Sequence, residues 1–374
     1  MDPTQRLPAS LTSLDAALAA LLRNLAPVTP IELSLVDAVG CVAADIPRFE
    51  PVPPRDVAAN DGWAFSARDL VGASSYSPLS LAAPPIWIEA GAPMPDRCDC
   101  IVDADAVEQT GSIVQIMAEA VPGQGVRRAG SHIAGGMAAI GPGRTVTARD
   151  LLVARSAGLQ RLSVRRPRLR LVNIPAISGD TATAELIAES ARASGAEVVR
   201  ADATGRDAES IANALDTDAC DFLVTIGGSG VGRTDATIAA LAKQGDVLAH
   251  GIALQPGRTA ALGRIGAIPV AALSGAPDQA LGVWWMIALA ALDRLSARNP
   301  RPTQTLPLHR KIASQVGIAE IALLEKSDHG WMPISVGDLS LAAIARADGL
   351  LAVPGTSEGF AAGTPVDAYI LRDE

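Results

Sequence analysis

The sequence predicts a multidomain α/β protein, and three observations carry that prediction. Between residues 167 and 298 short apolar runs alternate with segments of helical spacing, the pattern of a parallel-type sheet with right-handed crossovers. Ahead of it, short alternating runs separated by Gly and Pro give residues 48–129 the texture of a small inserted β domain. Beyond Asn299-Pro300-Arg301-Pro302 the composition turns strand-rich again, as in a small C-terminal β-barrel-like domain. A chain of 374 residues has room for several cores. The expected layout is a split linker domain over 1–47 and 130–166, a β-rich insertion over 48–129, an α/β domain over 167–298 and a β-rich domain over 299–374.

Taken in order, Thr12-Ser13-Leu14-Asp15 reads as a capping box, and Leu14, Leu18, Leu21, Leu22 and Leu25 mark one face of a helix. Residues 31–44 read as a second helical or mixed stretch carrying Leu33, Leu35, Val36 and Val39 and ending at Gly40. Pro47, Pro51, Pro53 and Pro54 then forbid a regular helix, so 49–60 is expected to be an extended loop. It ends at Asn60-Asp61-Gly62-Trp63-Ala64, a carboxylate in a turn. The insertion's strands are Ile86-Trp87-Ile88, Cys100-Ile101-Val102 and Ser112-Ile113-Val114-Gln115-Ile116, followed by a loop over 126–136 and a helix over 147–159. The α/β series runs strand 169–174, helix 182–193, strand 197–201, helix 207–215, strand 222–226, with further strands at 247–254 and 269–273. The apolar run 280–292, with Trp284, Trp285 and Met286, is expected to be a buried helix. Strands at 318–324, 350–353 and 366–371 and a helix at 341–347 close the chain.

Composition narrows the function classes. An apolar fraction of 49% with 19% charged residues describes an ordered globular protein. A net charge of −9 leaves no basic excess to displace counterions, which argues against a general nucleic-acid binder. The arginine clusters at 127–128 and 161–170 read as solvated faces or a domain seam. Cys41, Cys98, Cys100 and Cys220 form no secreted-type framework, and Cys98-Asp99-Cys100 lacks the gap of a zinc knuckle, so all four read as reduced and structural. Residues 1–8 carry no apolar leader and 280–292 is too short to cross a bilayer, so a cytoplasmic protein without a membrane partner is expected.

The chemistry concentrates where Leu223-Val224-Thr225-Ile226 feeds into Gly227-Gly228-Ser229-Gly230-Val231-Gly232. Asp235-Ala236-Thr237 then opens a segment with Ile238, Leu241 and Ala242 at helical spacing, so loop N–H groups and a helix N-terminus are expected to converge on an anion. Glycine there would let a phosphate approach the backbone closely. Alone, such a loop is as often a tight turn as a phosphate cradle. Ligands of parallel sheets bind beyond the carboxyl ends of strands, and Gln255-Pro256-Gly257-Arg258-Thr259 and Leu273-Ser274-Gly275-Ala276-Pro277 are expected to share that rim.

Together these motifs resemble the molybdopterin molybdenumtransferase family, which includes the gephyrin E domain, across nearly the whole chain. Asn60 to Ala64 is similar to Met-Asp-Gly-Tyr-Ala, Gly91-Ala92-Pro93-Met94-Pro95 to Thr-Gly-Ala-Pro-x-Pro, and Arg127-Arg128-Ala129-Gly130-Ser131-His132-Ile133 to Arg-Arg-x-Gly-Glu-Asp-Ile. Residues 227–235 resemble Gly-Gly-Val-Ser-Val-Gly-x-x-Asp, 255–259 resemble Lys-Pro-Gly-Lys-Pro and 273–277 resemble Leu-Pro-Gly-Asn-Pro. The resemblance implies insertion of molybdenum from molybdate into molybdopterin, with Mg2+-dependent hydrolysis of adenylylated molybdopterin and release of AMP. It implies Asp61, Asp235 and Arg258 as catalytic residues, with Asp61 and Asp235 as Mg2+ ligands. It implies Gly227, Gly228, Ser229, Gly230, Gly232, Pro256, Gly257, Ser274, Gly275 and Pro277 as cofactor-binding positions. It further implies a homodimer in which one subunit's Asp61 region completes the other's site, with a molybdoenzyme or adenylyltransferase as a possible further partner.

The departures bear on turnover. Gln255 and Arg258 replace the two family lysines, His132 replaces a carboxylate, Ser274 and Ala276 replace Pro and Asn, and the Thr-Gly-Asp-Glu loop is shortened to residues 175–180. His132 could meet a different ion or a phosphate, although a lone loop histidine is more often structural. Losing one buried charge contact commonly costs about 2–4 kcal/mol of barrier stabilisation. The expectation is a molybdenum cofactor biosynthesis protein that binds molybdopterin species and is a slowed molybdenumtransferase. The alternative is a catalytically degenerate carrier, chaperone or scaffold for a molybdoenzyme.

Overall fold

The computed structural model describes residues 5–45, 47–81, 85–110, 113–138 and 140–372. Residues 1–4 of the leading stretch and Ser112 of the last insertion strand therefore lie outside the described residues. The fold is a multidomain mixture of helices and sheets. Its centre is a six-stranded sheet of β1 (Arg168–Asn173), β2 (Glu197–Asp202), β3 (Phe222–Ile226), β4 (Asp246–His250), β6 (Ala261–Ile265) and β7 (Ile268–Leu273), in the order β2-β1-β3-β7-β6-β4. The intervening strand β5 (Ile252–Gln255) belongs to a second sheet. The strands β2, β1, β3 and β7 are parallel, and β7, β6 and β4 form an antiparallel edge.

Burial explains which strand lies centrally. All five residues of β3 are buried, as a strand covered on both faces requires. On one face it meets α3 (Ala182–Ala193) through Ile187, Ala188 and Ala191 in the largest core. On the other it meets α4 (Ala208–Ala214) and α5 (Thr237–Gln244) in a smaller core containing Ile211, Leu223, Ala240 and Leu241. Register aligns the carboxyl ends: Asn173 stands beside Asp202 and Ile226, and Ile226 beside Leu273. Four strand ends thus open on one edge, which places the loops that follow them side by side.

Several expectations change. Residues 31–44 take the mixed form and not the helical one: Ile31–Ser34 is a strand, turns follow, and Val42–Ala43 pairs antiparallel with residues 164–165. The hydroxyl of Ser34 accepts from the Asp37 amide and donates to the Asp37 carboxylate, a local turn that competes with helix. Val36 and Val39 are exposed rather than lining a helix face. The run 247–254 is two strands, broken at Gly251 with φ +81°, and β5 leaves for the second sheet, pairing with Thr12–Ser13 and with β8 (Ala319–Ser327). Strand β6 carries a weak apolar signal because of Gly263, where a Cβ would meet the Asp246 carbonyl at 2.5 Å. The capping box is one-sided: Ser13 accepts from the Ala16 amide at the start of α1 (Leu14–Leu22), with no reciprocal acidic partner at the third position. The run 280–292 is helical but compound, with a π turn at Trp284–Ala288; Trp284 is buried, Trp285 and Met286 partly so.

The second sheet runs Thr12–Ser13, β5, β8, β10 (Gly349–Val353), β11 (Pro365–Ile370) and Thr303–Pro307, with β9 (Gly330–Val336) also paired to β8. Its residues Ile321, Leu323 and Leu350 share the largest core with Leu21, Leu171 and Trp284. The described residues divide into two compact units, one comprising 1–45, 142–147 and 162–374 and the other 46–141 and 148–161. The second unit is built from short strands, Gly62–Phe65 between Ile86–Ile88 and Cys100–Val102, and Ile113–Ala118 between Ser74–Leu81 and Val107–Thr110, plus the helix α2 (Ala148–Ser156).

The amino ends of β1 and β3 are tied by one ion pair. Arg168 donates from Nε and Nη2 to the two oxygens of Asp221 at 3.1 and 2.8 Å, and its amide donates to Oδ2 at 2.8 Å. Burial pushes the Asp221 pKa up, but the Arg168 hydrogen bonds and charge outweigh it, and the net shift is downward. The contribution is therefore complete above the ordinary carboxylate range and is lost as pH falls through the depressed value. We expect Asp221→Asn to cost about 1 kcal/mol or less at neutral pH. Thermal melts of the variant should flatten below about pH 4 relative to the unmodified protein.

Candidate functional site

At the carboxyl edge of the sheet lies a cleft of about 170 Å3. The end of β1 contributes Ile174 and Ala176, the turn after β2 contributes Arg206, and the loop after β7 contributes Ser274 and Gly275. The loop after β3 lines it with Gly227, Gly228, Ser229, Gly230 and Asp235.

The orientation of that loop follows from what holds its carbonyls. Gly227 O accepts from Thr237 Oγ1 at 2.9 Å, and Gly228 O from the Thr237 amide and Gln5 Nε2, both at 3.1 Å. Ser229 O receives His250 Nε2 at 3.2 Å, and Gly230 O receives Gln5 Nε2 at 2.8 Å. In a planar trans peptide the C=O of one residue and the N–H of the next point in opposite directions. Engaging the carbonyls of residues 227, 228 and 229 therefore turns the N–H groups of Gly228, Ser229 and Gly230 the other way. Those three amides form no hydrogen bond among the described residues. Consecutive free N–H groups in a turn of this kind are an anion cradle.

The glycines serve this arrangement for a different reason from the one the sequence suggests. A Cβ on Gly228, whose φ is +66°, would lie 2.4 Å from Thr237 Oγ1, and Cβ atoms on Gly230 and Gly232 would lie 2.6 and 2.9 Å from Asp235 Oδ2. Gly228 is thus fixed by its left-handed φ and by Thr237, while a Cβ on Gly230 or Gly232 would displace the end of the Asp235 side chain. Gly275 differs: its Cβ would meet nothing nearer than Gly227 Cα at 3.7 Å, which leaves its face open to the cleft. The start of α5 is not free to bind an anion as expected, because the Thr237 amide is bonded to Gly228 O and the Ile238 amide to Gln5 Oε1 at 2.8 Å.

Asp235 is held by two donors. Its Oδ1 takes Arg206 Nη2 and its Oδ2 the Gly232 amide, each at 2.9 Å, while Arg206 Nη1 donates to Pro175 O at 2.7 Å. Among the described residues no three His, Cys, Asp or Glu side chains gather as a metal site. Mg2+ needs near-octahedral oxygens at about 2.0–2.1 Å, so Asp235, with one donor on each oxygen and a guanidinium charge against it, does not fit that ion as arranged. Burial pushes up all four thiols, Cys100 to about 11 with Asp99 adding to the effect, so none is a ready nucleophile.

The remaining expected residues take other positions. Gly232 is exposed beside Asp235. Pro256 and Gly257 are buried, the Gly257 amide donating to Gln279 Oε1 at 2.8 Å, and Arg258 is exposed. Pro277 begins the helix α6 (Pro277–Val283) just past Gly275, whose carbonyl accepts from Thr183 Oγ1 at 2.7 Å. In the other unit, Asp61 is exposed and its Oδ1 accepts from the Ala90 amide at 2.7 Å. His132 lies there with Ser131, Ile133, Leu152, Val153 and Ser156 around a separate hollow of about 390 Å3. Sequence reasoning missed Arg206 and Gln5. Applying the strand-end rule to β2 as well as β3 would have reached Arg206, whereas nothing local marks Gln5.

Two family profiles match this chain. The MoeA N-terminal region (domain I and II) covers residues 12–158, and a domain described as a probable molybdopterin binding domain covers 176–294. The chain belongs to the molybdopterin molybdenumtransferase family. It is a divergent member. Molybdopterin molybdenumtransferase 2 of Mycobacterium tuberculosis is 28% identical over 390 aligned positions, covering 91% of this chain and 95% of that protein. Molybdopterin molybdenumtransferase 1 of the same organism is 24% identical over 404, again covering 91% and 95%. Two crystal structures of a molybdopterin biosynthesis MoeA protein from Pyrococcus horikoshii share the fold, with TM-scores of 0.74 and 0.71. They are 23% and 20% identical to this chain, cover 98% and 96% of it, and are each covered over 100% of their length. The profile match at 176–294 contains every residue that lines the cleft except Ile174.

Because Gln5 bridges the loop and α5, we expect Gln5→Ala to loosen both. Losing bonds to two loop carbonyls and one helix amide should cost about 1–3 kcal/mol locally. Hydrogen exchange at the Ile238 amide should then quicken by roughly tenfold or more, with exchange in the strands β1 and β3 unaltered.

Proposed function

We propose that this chain acts in molybdenum cofactor biosynthesis by holding the phosphate end of molybdopterin, or of adenylylated molybdopterin, in the cleft at the carboxyl edge of the sheet. The observation that carries the reading is the run of three unbonded amides at Gly228, Ser229 and Gly230, in a loop that the molybdopterin-binding profile covers. Size supports the same assignment. Ligand pockets that enclose a drug-sized molecule measure about 300–1,000 Å3, so a cleft of about 170 Å3 takes a phosphate and its neighbouring atoms while the pterin lies over the rim.

In this reading the loop amides and the buried Ser229 hydroxyl bind phosphate, the open face of Gly275 admits it, and exposed Arg258 is available to an outer phosphate. The relatives named molybdenumtransferases support a transfer of molybdenum; in this reading molybdate supplies the metal and the Asp61 turn of a second copy completes the site in a homodimer. Mg2+-assisted turnover needs carboxylates that Asp235 does not offer while Arg206 and Gly232 occupy it. That occupation favours a second reading, in which the chain carries the molybdopterin species to an adenylyltransferase or molybdoenzyme partner and releases AMP slowly or not at all. No described helix is long and apolar enough to cross a membrane, and a cytoplasmic site of action fits both readings.

Calorimetry with adenylylated molybdopterin, run beside an assay of AMP release with molybdate, separates the two. Binding with AMP release marks the transferase and binding without it the carrier. Absence of binding removes the proposal. Gly275→Ala should place a methyl group in the cleft, at an overpacking cost of about 1–3 kcal/mol. Binding should weaken by roughly fivefold to a hundredfold, with the thermal midpoint unchanged, since the new Cβ meets only ordinary contact.

A further inference from the structure

Resting on the reading that the cleft takes a phosphate, we infer that Arg206 is the fixed cation of that phosphate subsite, standing on Asp235 where a metal ion would have to stand, so that the phosphate is held without Mg2+. Three observations combine. Arg206 is pinned at two points, Nη1 on the Pro175 carbonyl at 2.7 Å and Nη2 on Asp235 at 2.9 Å, and it lines the cleft. Its Nε is buried and has no hydrogen-bond partner among the described residues. Ser229 is among the residues that line the same cleft, it is 0% exposed, and its Oγ likewise has no partner among the described residues.

Buried polar atoms without partners are uncommon and costly, about 1–3 kcal/mol each. Two of them on residues lining one small cleft, beside three unbonded amides, describe a set of donors waiting for an acceptor. A phosphate monoester supplies several acceptor oxygens with negative charge, and a guanidinium meets that geometry better than an ammonium does. Charge points the same way. Without Arg206 the Asp235 carboxylate would repel a phosphate dianion. With the ion pair at 2.9 Å, carboxylate and guanidinium balance, and the donors of Ser229 and the loop decide the sign of the site. Arginine therefore neutralises Asp235 as a bound cation would, and it cannot dissociate.

The test is calorimetric titration of adenylylated molybdopterin into the full chain and into Arg206→Lys and Arg206→Met, each in EDTA and in Mg2+. The unmodified protein should bind equally, within about twofold, under the two conditions. Arg206→Met should bind about tenfold or more weakly in EDTA, the loss of a charged hydrogen-bond donor, with Arg206→Lys between the two. Binding by the unmodified protein only when Mg2+ is present overturns the inference alone, as does Arg206→Met binding as tightly as the unmodified protein. Absence of binding under both conditions overturns the cleft reading and the inference together. Should Arg206→Met fail to fold, the comparison of EDTA with Mg2+ for the unmodified protein and for Arg206→Lys still decides.

Discussion

The structure depends on how one loop's acceptors are disposed of. A backbone segment presents donors to a ligand only if its carbonyls are satisfied elsewhere, and in the loop after β3 that task falls to groups from three distant places. Thr237 comes from the start of α5, His250 from the end of β4 and Gln5 from the leading segment. None of them is among the residues that line the cleft. They fix peptide planes, and the planes fix which way the amides face. The cost of exposing three amides is thus borne by packing outside the site.

This separates holding from chemistry. Main-chain donors survive side-chain replacement, so a lineage can exchange lysines and carboxylates around such a loop and keep its grip on an anion. Asp235 meets an arginine from the turn after β2, and its carboxylate is tucked against Gly230 and Gly232.

Much of the frame could be read from the chain alone, for identifiable reasons. The α/β alternation was legible because β3 and α3 carry uninterrupted periodic patterns, and the helix at Ala182–Ala193 falls where its spacing places it. The glycine run was legible as a loop at the sheet's carboxyl edge because it follows a strand and precedes a helix. The reason for its glycines was not, since the clashes that forbid a Cβ come from Thr237 and Asp235 folding back on the loop. Arg206 was hidden in a short Thr-Gly-Arg-Asp turn that reads as helix capping, which Asp207 indeed performs for α4. Gln5 is more than 220 residues away from the carbonyls it binds, and no local pattern reports such a distance. Residues 31–44 read as helical or mixed because apolar spacing was counted without the Ser34 hydroxyl that diverts the backbone.

The left-handed turn at Gly251 makes β4 and β5 consecutive in the chain while they lie in different sheets. The two sheets share an interior that joins Leu21, Leu171 and Trp284 to Ile321 and Leu350. A cut near residue 298, where the composition changes most sharply, would therefore not release two autonomous pieces. It would strip β5 of β8 and bare an oily wall on each fragment. Compositional seams and thermodynamic seams are different lines on this molecule, and a truncation should follow the second.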